Sequence, residues 1–185
     1  MAKVSFLKTY LGWIAFAYDN SKLLANSIPF QNKYSALEFL KKVLLKRKIL
    51  NYEFSFNRFI SNEINSAILG NDYNIELSFE NLSNFCIKVL KIVMKIPRGK
   101  VISYKTIAEL INIKAYRAIG RALSKNPFPI IIPCHRVIKH NGSLGNYIGG
   151  KKLKELLLKN EGVEILNGKV MEKYLLLLNE LIYHF

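Results

Sequence analysis

Residues 126–138 read NPFPIIIPCHRVI. The run is almost wholly apolar and holds three prolines. The run ends on Cys134, followed at once by His135 and Arg136. A thiol so placed can be inert core, a metal ligand or a reactive thiolate in a dry pocket. The remainder of the chain has to decide between them.

The chain has 185 residues, enough for one large domain or two small ones with a true hydrophobic core. No apolar run reaches the roughly 18 residues of a membrane span. The opening MAKVSFLKTYLGWIAFAYDN lacks a small-residue cleavage pattern and reads as strand rather than signal peptide. The expected location is therefore intracellular, in the cytoplasm. Cys86 and Cys134 are the two cysteines, and two thiols in such a chain are rarely a structural disulfide. With His135, His140 and His184 as the histidines, and no Cys-x-x-Cys or His-x-x-x-His spacing, no zinc site is expected.

The formal net charge is +15, unevenly spread: residues 1–78 carry 10 basic and 6 acidic side chains, residues 79–185 carry 18 and 7. A basic excess in one half points to a polyanion such as nucleic acid. A solvated, lysine-rich surface gives the same count.

Residues 4–28 read as two or three strands, with Asp19-Asn20-Ser21 as a turn. Leu37, Leu40, Val43 and Leu44 give 33–48 helical spacing. Residues 51–70 read as partly helical, ended by Gly70, so the first half is a small α+β unit. SFENLSN (78–84) reads as a linker, and Ser83 as the cap of a helix over 84–96 with a stripe of Phe85, Val89, Ile92, Val93 and Ile96. Cys86 lies beside that stripe and is expected in the core.

Two short helices follow, about 104–111, capped by Ser103, and about 115–125, with only Asn112-Ile113-Lys114 between them. That is helix-turn-helix spacing. The second helix is expected to bury Ala118, Ile119, Ala122 and Leu123 and to align Lys114, Arg117, Arg121 and Lys125 on its other face. Ala115, Ala118 and Gly120 would let it approach another surface closely. Farther on, Asn141-Gly142 marks a tight turn, 151–162 an amphipathic helix ending at Gly162, and 171–185 a Leu-rich helical tail that docks on the body or, alternatively, on a second copy.

A thiol must ionise to attack, and apolar burial alone raises its pKa. On an extended strand, Cys134 and His135 would point to opposite faces, so a bridging water would have to pass the proton. A carboxylate beyond the ring would hold the tautomer, and Glu161 is the best placed acid in this half. The expected product is a thiolate stored in a sheltered cleft. Buried, unreactive Cys and His remain the alternative for the dipeptide by itself.

IPCHRVI at 132–138 resembles the active-site signature of the O6-alkylguanine-DNA alkyltransferases, also called methylated-DNA–protein-cysteine methyltransferases. The likeness runs in order over about 79–162 through IPRGKVISY (96–104), YRAIGRAL (116–123), NPFPIIIPCHRVI, GNYIGG (145–150) and KELLLKNEG (154–162). The first 78 residues match only in length and α+β character. The resemblance implies an α+β fold in two domains. A small, ribonuclease-H-like N-terminal domain over 1–78 would precede a mainly helical, winged helix-turn-helix-like domain over 79–185 that carries the active Cys and a C-terminal helical extension.

The implied activity is DNA repair by a suicide enzyme, in which an alkyl group passes irreversibly from O6-alkylguanine, or O4-alkylthymine, to Cys134, once per molecule. His135, a water and Glu161 would form the relay, Tyr104 would protonate the departing guanine, and Asn126 would tie the Cys segment to the helix-turn-helix. Lys114, Ala115, Tyr116, Arg117, Arg121 and Leu123 would meet DNA, with Arg117 filling the gap left by a flipped nucleotide. Pro133, Val137, Tyr147, Ile148 and Gly149 would shape the base pocket. The implied partner is double-stranded DNA entered from the minor groove, with no cofactor, metal, membrane or obligate protein partner, and a monomeric protein. Tyr116 and Arg121 stand where the family commonly has small residues, and Ile148 is bulkier than usual after the lid tyrosine. Two other readings share these residues: a non-catalytic helix-turn-helix binder of alkylated DNA, and a cysteine hydrolase, which would need an oxyanion hole and water access.

Overall fold

The structure is a computed structural model that describes residues 1–20 and 22–176. It divides into two compact units, one of residues 1–83 with 127–131, the other of residues 84–126 with 132–185.

The first unit is a five-stranded sheet with two helices. Strands β1 (Ala2–Thr9), β2 (Gly12–Asp19) and β3 (Lys22–Asn26) form an antiparallel meander. The β1–β2 hairpin closes in register at Thr9 and Gly12. Gly12 has φ +129°, and a Cβ there would lie 2.5 Å from the Phe30 carbonyl oxygen, so only glycine fits. Helix α1 (Lys33–Lys46) is capped by Asn32, whose side chain accepts from the Ser35 amide. It lays Ala36, Leu40 and Leu44 onto Val4, Ala15, Ala17 and Ala25. The alanines let helix and sheet meet closely, and each buried leucine contributes about 2 kcal/mol.

Strand β4 (Tyr52–Phe54) adds parallel to β1, helix α2 (Arg58–Leu69) follows, and β5 (Glu76–Leu77) adds parallel to β3. Gly70 ends α2 in the left-handed conformation, as its sequence position predicts. The prolines of 127–131 leave the run short of ladder donors, and three of its carbonyls are met from elsewhere in the unit. Asn26 donates from its amide to Pro127 O and from Nδ2 to Pro129 O, and the Tyr73 hydroxyl donates to Ile131 O. Ile130, β-branched, sits at φ +76°, a conformation that costs about 1–3 kcal/mol and persists only where its surroundings impose it.

In the second unit, helix α3 (Asn84–Met94) buries Cys86, Val89, Leu90, Ile92 and Val93. Phe85, expected in the stripe, is instead 36 % exposed. The buried face is turned toward Cys86 because α3 packs on the second helix of the pair, and the Cys86 thiol donates to Ala122 O. Strand β6 (Ile102–Ser103) leads into α4 (Tyr104–Leu110), with the Ser103 hydroxyl accepting from the Thr106 amide as predicted. Helix α5 (Tyr116–Leu123) comes next, then β7 (Val137–Ile138), parallel to β6, and α6 (Gly150–Asn160).

The hairpin β8 (Ile165–Leu166) and β9 (Lys169–Val170) turns at Asn167-Gly168, both left-handed. Val101, Ile138, Leu144, Leu158, Val163 and Val170 form the core under α6. The expected tail helix is a 3-10 turn at Glu172–Tyr174 followed by a bridge from Leu175 to Val101; its remainder, 177–185, lies outside the described residues. Among the described residues no helix is long and apolar enough to cross a membrane.

Candidate active site

Cys134, His135 and Arg136 form one turn of 3-10 helix, not the extended strand considered for the Cys-His pair. Pro133 starts the turn, the Arg136 amide donates to Pro133 O, and the Cys134 amide donates to Ile132 O. The tightened backbone carries the three side chains around a corner, so Cys134 faces a cavity while His135 and Arg136 turn toward the end of α6.

That cavity has a volume of about 770 Å³. Cys134 lies in its wall with Tyr104, Tyr147, Ile148, Gly145 and Leu123, and Arg117, Arg121 and Tyr116 approach it from α5. Gly145 has φ +69°, and a Cβ there would lie 3.5 Å from the Tyr104 ring. Lys139 and His140 also line the space.

Asn126, 4 % exposed, donates from Nδ2 to Ile132 O at 3.0 Å and to Cys134 Sγ at 3.3 Å. His135, 1 % exposed, bonds through Nε2 to Glu161 Oε1 at 2.9 Å. A carboxylate only accepts, so Nε2 carries the hydrogen and Nδ1 is the free base in the neutral ring. His135 Nδ1 and the Tyr147 hydroxyl are both buried without a hydrogen-bond partner, and the two rings meet edge to face with centroids 6.3 Å apart.

Burial pushes the Cys134 thiol above its ordinary pKa; the Asn126 hydrogen bond and the Lys154 charge oppose this without overturning it. Burial thus works against the thiolate expected in this cleft, and the imidazole is not bonded to sulfur. His135 is pushed down, first by burial and further by Arg136 and Lys154, against the pull of Glu161. Burial raises Glu161, but the hydrogen bonds and charges of His135 and Arg136 outweigh it and hold the carboxyl at about 2. The Tyr104 and Tyr147 phenols are both raised, by burial and by proximity to Cys134.

The structure thus gathers Cys134, His135, Glu161, Tyr104 and Asn126 in one unit. Lys114, Ala115, Tyr116, Arg117 and Arg121 are exposed at the start and along the outer face of α5, and Lys125 follows them. Leu123 is 8 % exposed and faces the cavity. Ala118, expected in the core, is half-buried, while Ile119 and Ala122 are buried. Ile148 is 43 % exposed at the cavity mouth. Pro133, Val137 and Gly149 do not line the cavity: Pro133 caps the 3-10 turn, Val137 is fully buried in the β6–β7 pair, and Gly149 precedes α6.

Sequence reasoning missed two residues. Arg136 clamps Glu161, donating from Nε to Oε2 at 2.9 Å and from Nη2 to Oε1 at 2.8 Å. Lys154 has no exposed surface, donates to Val137 O, and is pushed down to about 8 by burial, with Cys134 pulling it up. Its signal was available: Lys154 occupies the i, i+3, i+4 stripe with Leu157 and Leu158, the buried face of α6. Among the described residues no group of three or more His, Cys, Asp or Glu is placed to hold a metal ion.

Residues 84–163 match the family described as 6-O-methylguanine DNA methyltransferase, DNA binding domain. A methylated-DNA–protein-cysteine methyltransferase of Saccharolobus islandicus is 57% identical over 81 residues, which is 44% of this chain and 52% of that protein. The chain thus spans about half the length of the curated relatives it matches. The O6-methylguanine-DNA methyltransferase of Pyrococcus kodakaraensis KOD1 superposes with a TM-score of 0.71 at 28% identity, covering 88% of this chain and 100% of that one. Mycobacterium tuberculosis OGT, solved in complex with DNA, gives 0.67 at 27% identity over 86% of this chain and 91% of that one.

Proposed function

We propose, from the premise that residues 84–163 belong to the 6-O-methylguanine DNA methyltransferase DNA-binding domain family, that this protein repairs DNA by moving an alkyl group from O6 of guanine to Cys134. The observation that carries this reading is the thiol of Cys134 in the wall of a cavity of about 770 Å³, large enough to admit a base, whose rim is the basic face of α5. Double-stranded DNA would be met from the minor groove by Lys114, Ala115, Tyr116, Arg117 and Arg121. The alkylated base would be flipped out, at a cost of a few kcal/mol, which Arg117 offsets in part by filling the gap. In the cavity the base would rest against Tyr147, with Ile148 at the mouth limiting alkyl size.

The chemistry follows from the placement of protons. As sulfur attacks the alkyl carbon, its proton passes through a water to His135 Nδ1, and Glu161 steadies the resulting imidazolium at Nε2. The S–C bond forms as the C–O6 bond breaks. Guanine departs with a proton from Tyr104, whose raised pKa keeps it protonated at neutral pH, and the imidazolium proton returns to the phenol through solvent. Asn126 holds sulfur in line. The thioether has no base to reverse it, so each molecule reacts once. No step calls for a metal or cofactor.

The same reading takes 1–78 as a ribonuclease-H-like domain and 79–185 as a winged helix-turn-helix-like one, and the protein as a cytoplasmic monomer; neither cysteine is in a disulfide, which suits a reducing compartment. The test is an oligonucleotide carrying O6-methylguanine labelled in the methyl group. One equivalent of label is expected on Cys134. Absence of transfer, or transfer to a Cys134→Ala variant, overturns the reading; tight binding to the same oligonucleotide without transfer would select the non-catalytic binder instead.

A further inference from the structure

Three residues of α5 at i, i+4, i+7 spacing, Tyr116, Gly120 and Leu123, form one wall of the cavity. The wall is graded in depth: Leu123 is 8 % exposed and Tyr116 is 46 % exposed. Seven residues of helix separate the two by about 10 Å. Leu123 therefore stands inside the cavity that holds Cys134, and Tyr116 stands at its outer rim. Among the described residues the Tyr116 ring and hydroxyl have no hydrogen bond, ion pair or ring partner. Between the two lies Gly120. Glycine weakens a helix interior, and a Cβ at Gly120 would meet nothing within 4 Å, so no neighbour inside the protein requires it. An unpartnered aromatic ring beside a bare stretch of helix is a surface left open to something outside the chain.

Arg117 follows Tyr116 directly, about 100° around the helix. The two side chains diverge, so they address different parts of a duplex that α5 meets. With Arg117 in the place of an extruded nucleotide, Tyr116 is directed to one flank of that place. Proteins that enter the minor groove push apolar side chains between base steps, and an aromatic ring stacks on any base. A base beside a vacated position has lost one stacking partner. A flat, uncharged ring at that level restores the contact.

We propose that Tyr116 stacks on the base pair flanking the extruded nucleotide, as a second wedge beside Arg117 that keeps the duplex open while the base is in the cavity. The inference rests on the reading that this protein extrudes an alkylated base from double-stranded DNA. Its consequence is preference for the lesion. The cations at the rim, Lys105, Arg117, Arg121 and Lys139, attract the phosphates of any duplex alike. The ring gains its contact only where a base has left the stack.

The test measures binding by fluorescence anisotropy in a Cys134→Ser background, on a duplex carrying O6-methylguanine and on the same duplex with guanine. In Tyr116→Ala, affinity for the lesion duplex should fall about ten-fold, and affinity for the undamaged duplex by less than about two-fold. The slope of log affinity against log salt should stay native, since no cation is removed. 2-Aminopurine is placed on either side of the lesion in turn. On one side it should be brighter in the Tyr116→Ala complex, because no ring covers it. Tyr116→Phe, which keeps the ring without the hydroxyl, should match the native side chain in every readout. Tyr116→Gln, a better helix former without a ring, should behave as Tyr116→Ala and keeps the proposal testable should the alanine variant not fold. Native lesion affinity in a folded ringless variant, an equal loss in Tyr116→Phe, or an equal loss on both duplexes overturns the proposal. Methyl transfer by the protein with Cys134 intact is measured beside these. Transfer with no effect of the ringless variants rejects the wedge alone; the lesion preference and the 2-aminopurine signal without transfer reject the alkyl-transfer reading alone.

Discussion

The ammonium of Lys154 donates to the carbonyl of Val137 with no surface of the lysine exposed, three residues along the chain from Cys134. A buried cation without a carboxylate costs stability, so its place beside the sulfur has to be explained by what it does to the thiol. It is one of the groups that pull the Cys134 pKa down against burial.

Lys154→Met should therefore fold with a melting temperature equal to or above that of the native protein, because a well-packed apolar group replaces a buried charge. Its Cys134 should react with iodoacetamide at pH 7 about ten-fold more slowly. The lysine's own pKa, held down to about 8, adds a second sign. Stability should increase from about pH 8 to about pH 10.4 as the native lysine loses its proton more readily than the unfolded one. Chemical denaturation across that range should show the rise in the native protein and not in the variant.

Glu161 gives the opposite end of the pH scale. Its folded pKa of about 2, against an ordinary 4.5, makes a contribution that is complete above pH 4.5 and is lost as pH falls toward 2. A depression of that size is worth about 3 kcal/mol for a group so well buried. His135, also depressed, begins to reduce stability below about pH 6.5. Urea unfolding between pH 7 and 3 should show both losses. In Glu161→Gln the loss below pH 4.5 should shrink.

Methylation of Cys134 should destabilise the protein by about 1–3 kcal/mol, since a methyl group is forced into packed surroundings. The first contact strained is the 3.3 Å hydrogen bond from Asn126 Nδ2 to Sγ. Calorimetry before and after reaction should show a lower melting temperature; an unchanged one would contradict this packing.

Arg117 and Arg121 project from α5 with Lys114 and Lys125 on an exposed face. If this face meets phosphates, Arg117→Gln with Arg121→Gln should reduce the slope of log affinity against log salt by about 2, one for each lost contact. Fluorescence anisotropy on a duplex between about 50 and 300 mM salt measures it. The thiol reactivity of the same variant should stay native, which separates binding from chemistry.

Much of the scaffold was legible from local pattern. Gly70 and the Ser103 cap act within a few residues, so short-range geometry determines them. The helical spacing of Leu37, Leu40, Val43 and Leu44 found two of the three residues that α1 buries, Leu40 and Leu44; Ala36 completes the face, and Leu37 and Val43 are half-buried at its edge. Phe85 and the 3-10 turn at Cys134 were not legible, because each depends on what packs against it. Phe85 is left outside by the position of α5, and the turn is held by the Asn126 bond to Ile132 O and by the β6–β7 pairing that follows it.

The sequence by itself determined which residue types would meet: a cysteine, a histidine, an asparagine, a phenol and a carboxylate, in a half of the chain rich in lysine and arginine. Only the tertiary structure decided their charges. Burial, the Arg136 clamp on Glu161 and a lysine hidden under α6 act through distance and desolvation, and neither is written in the order of residues along the chain.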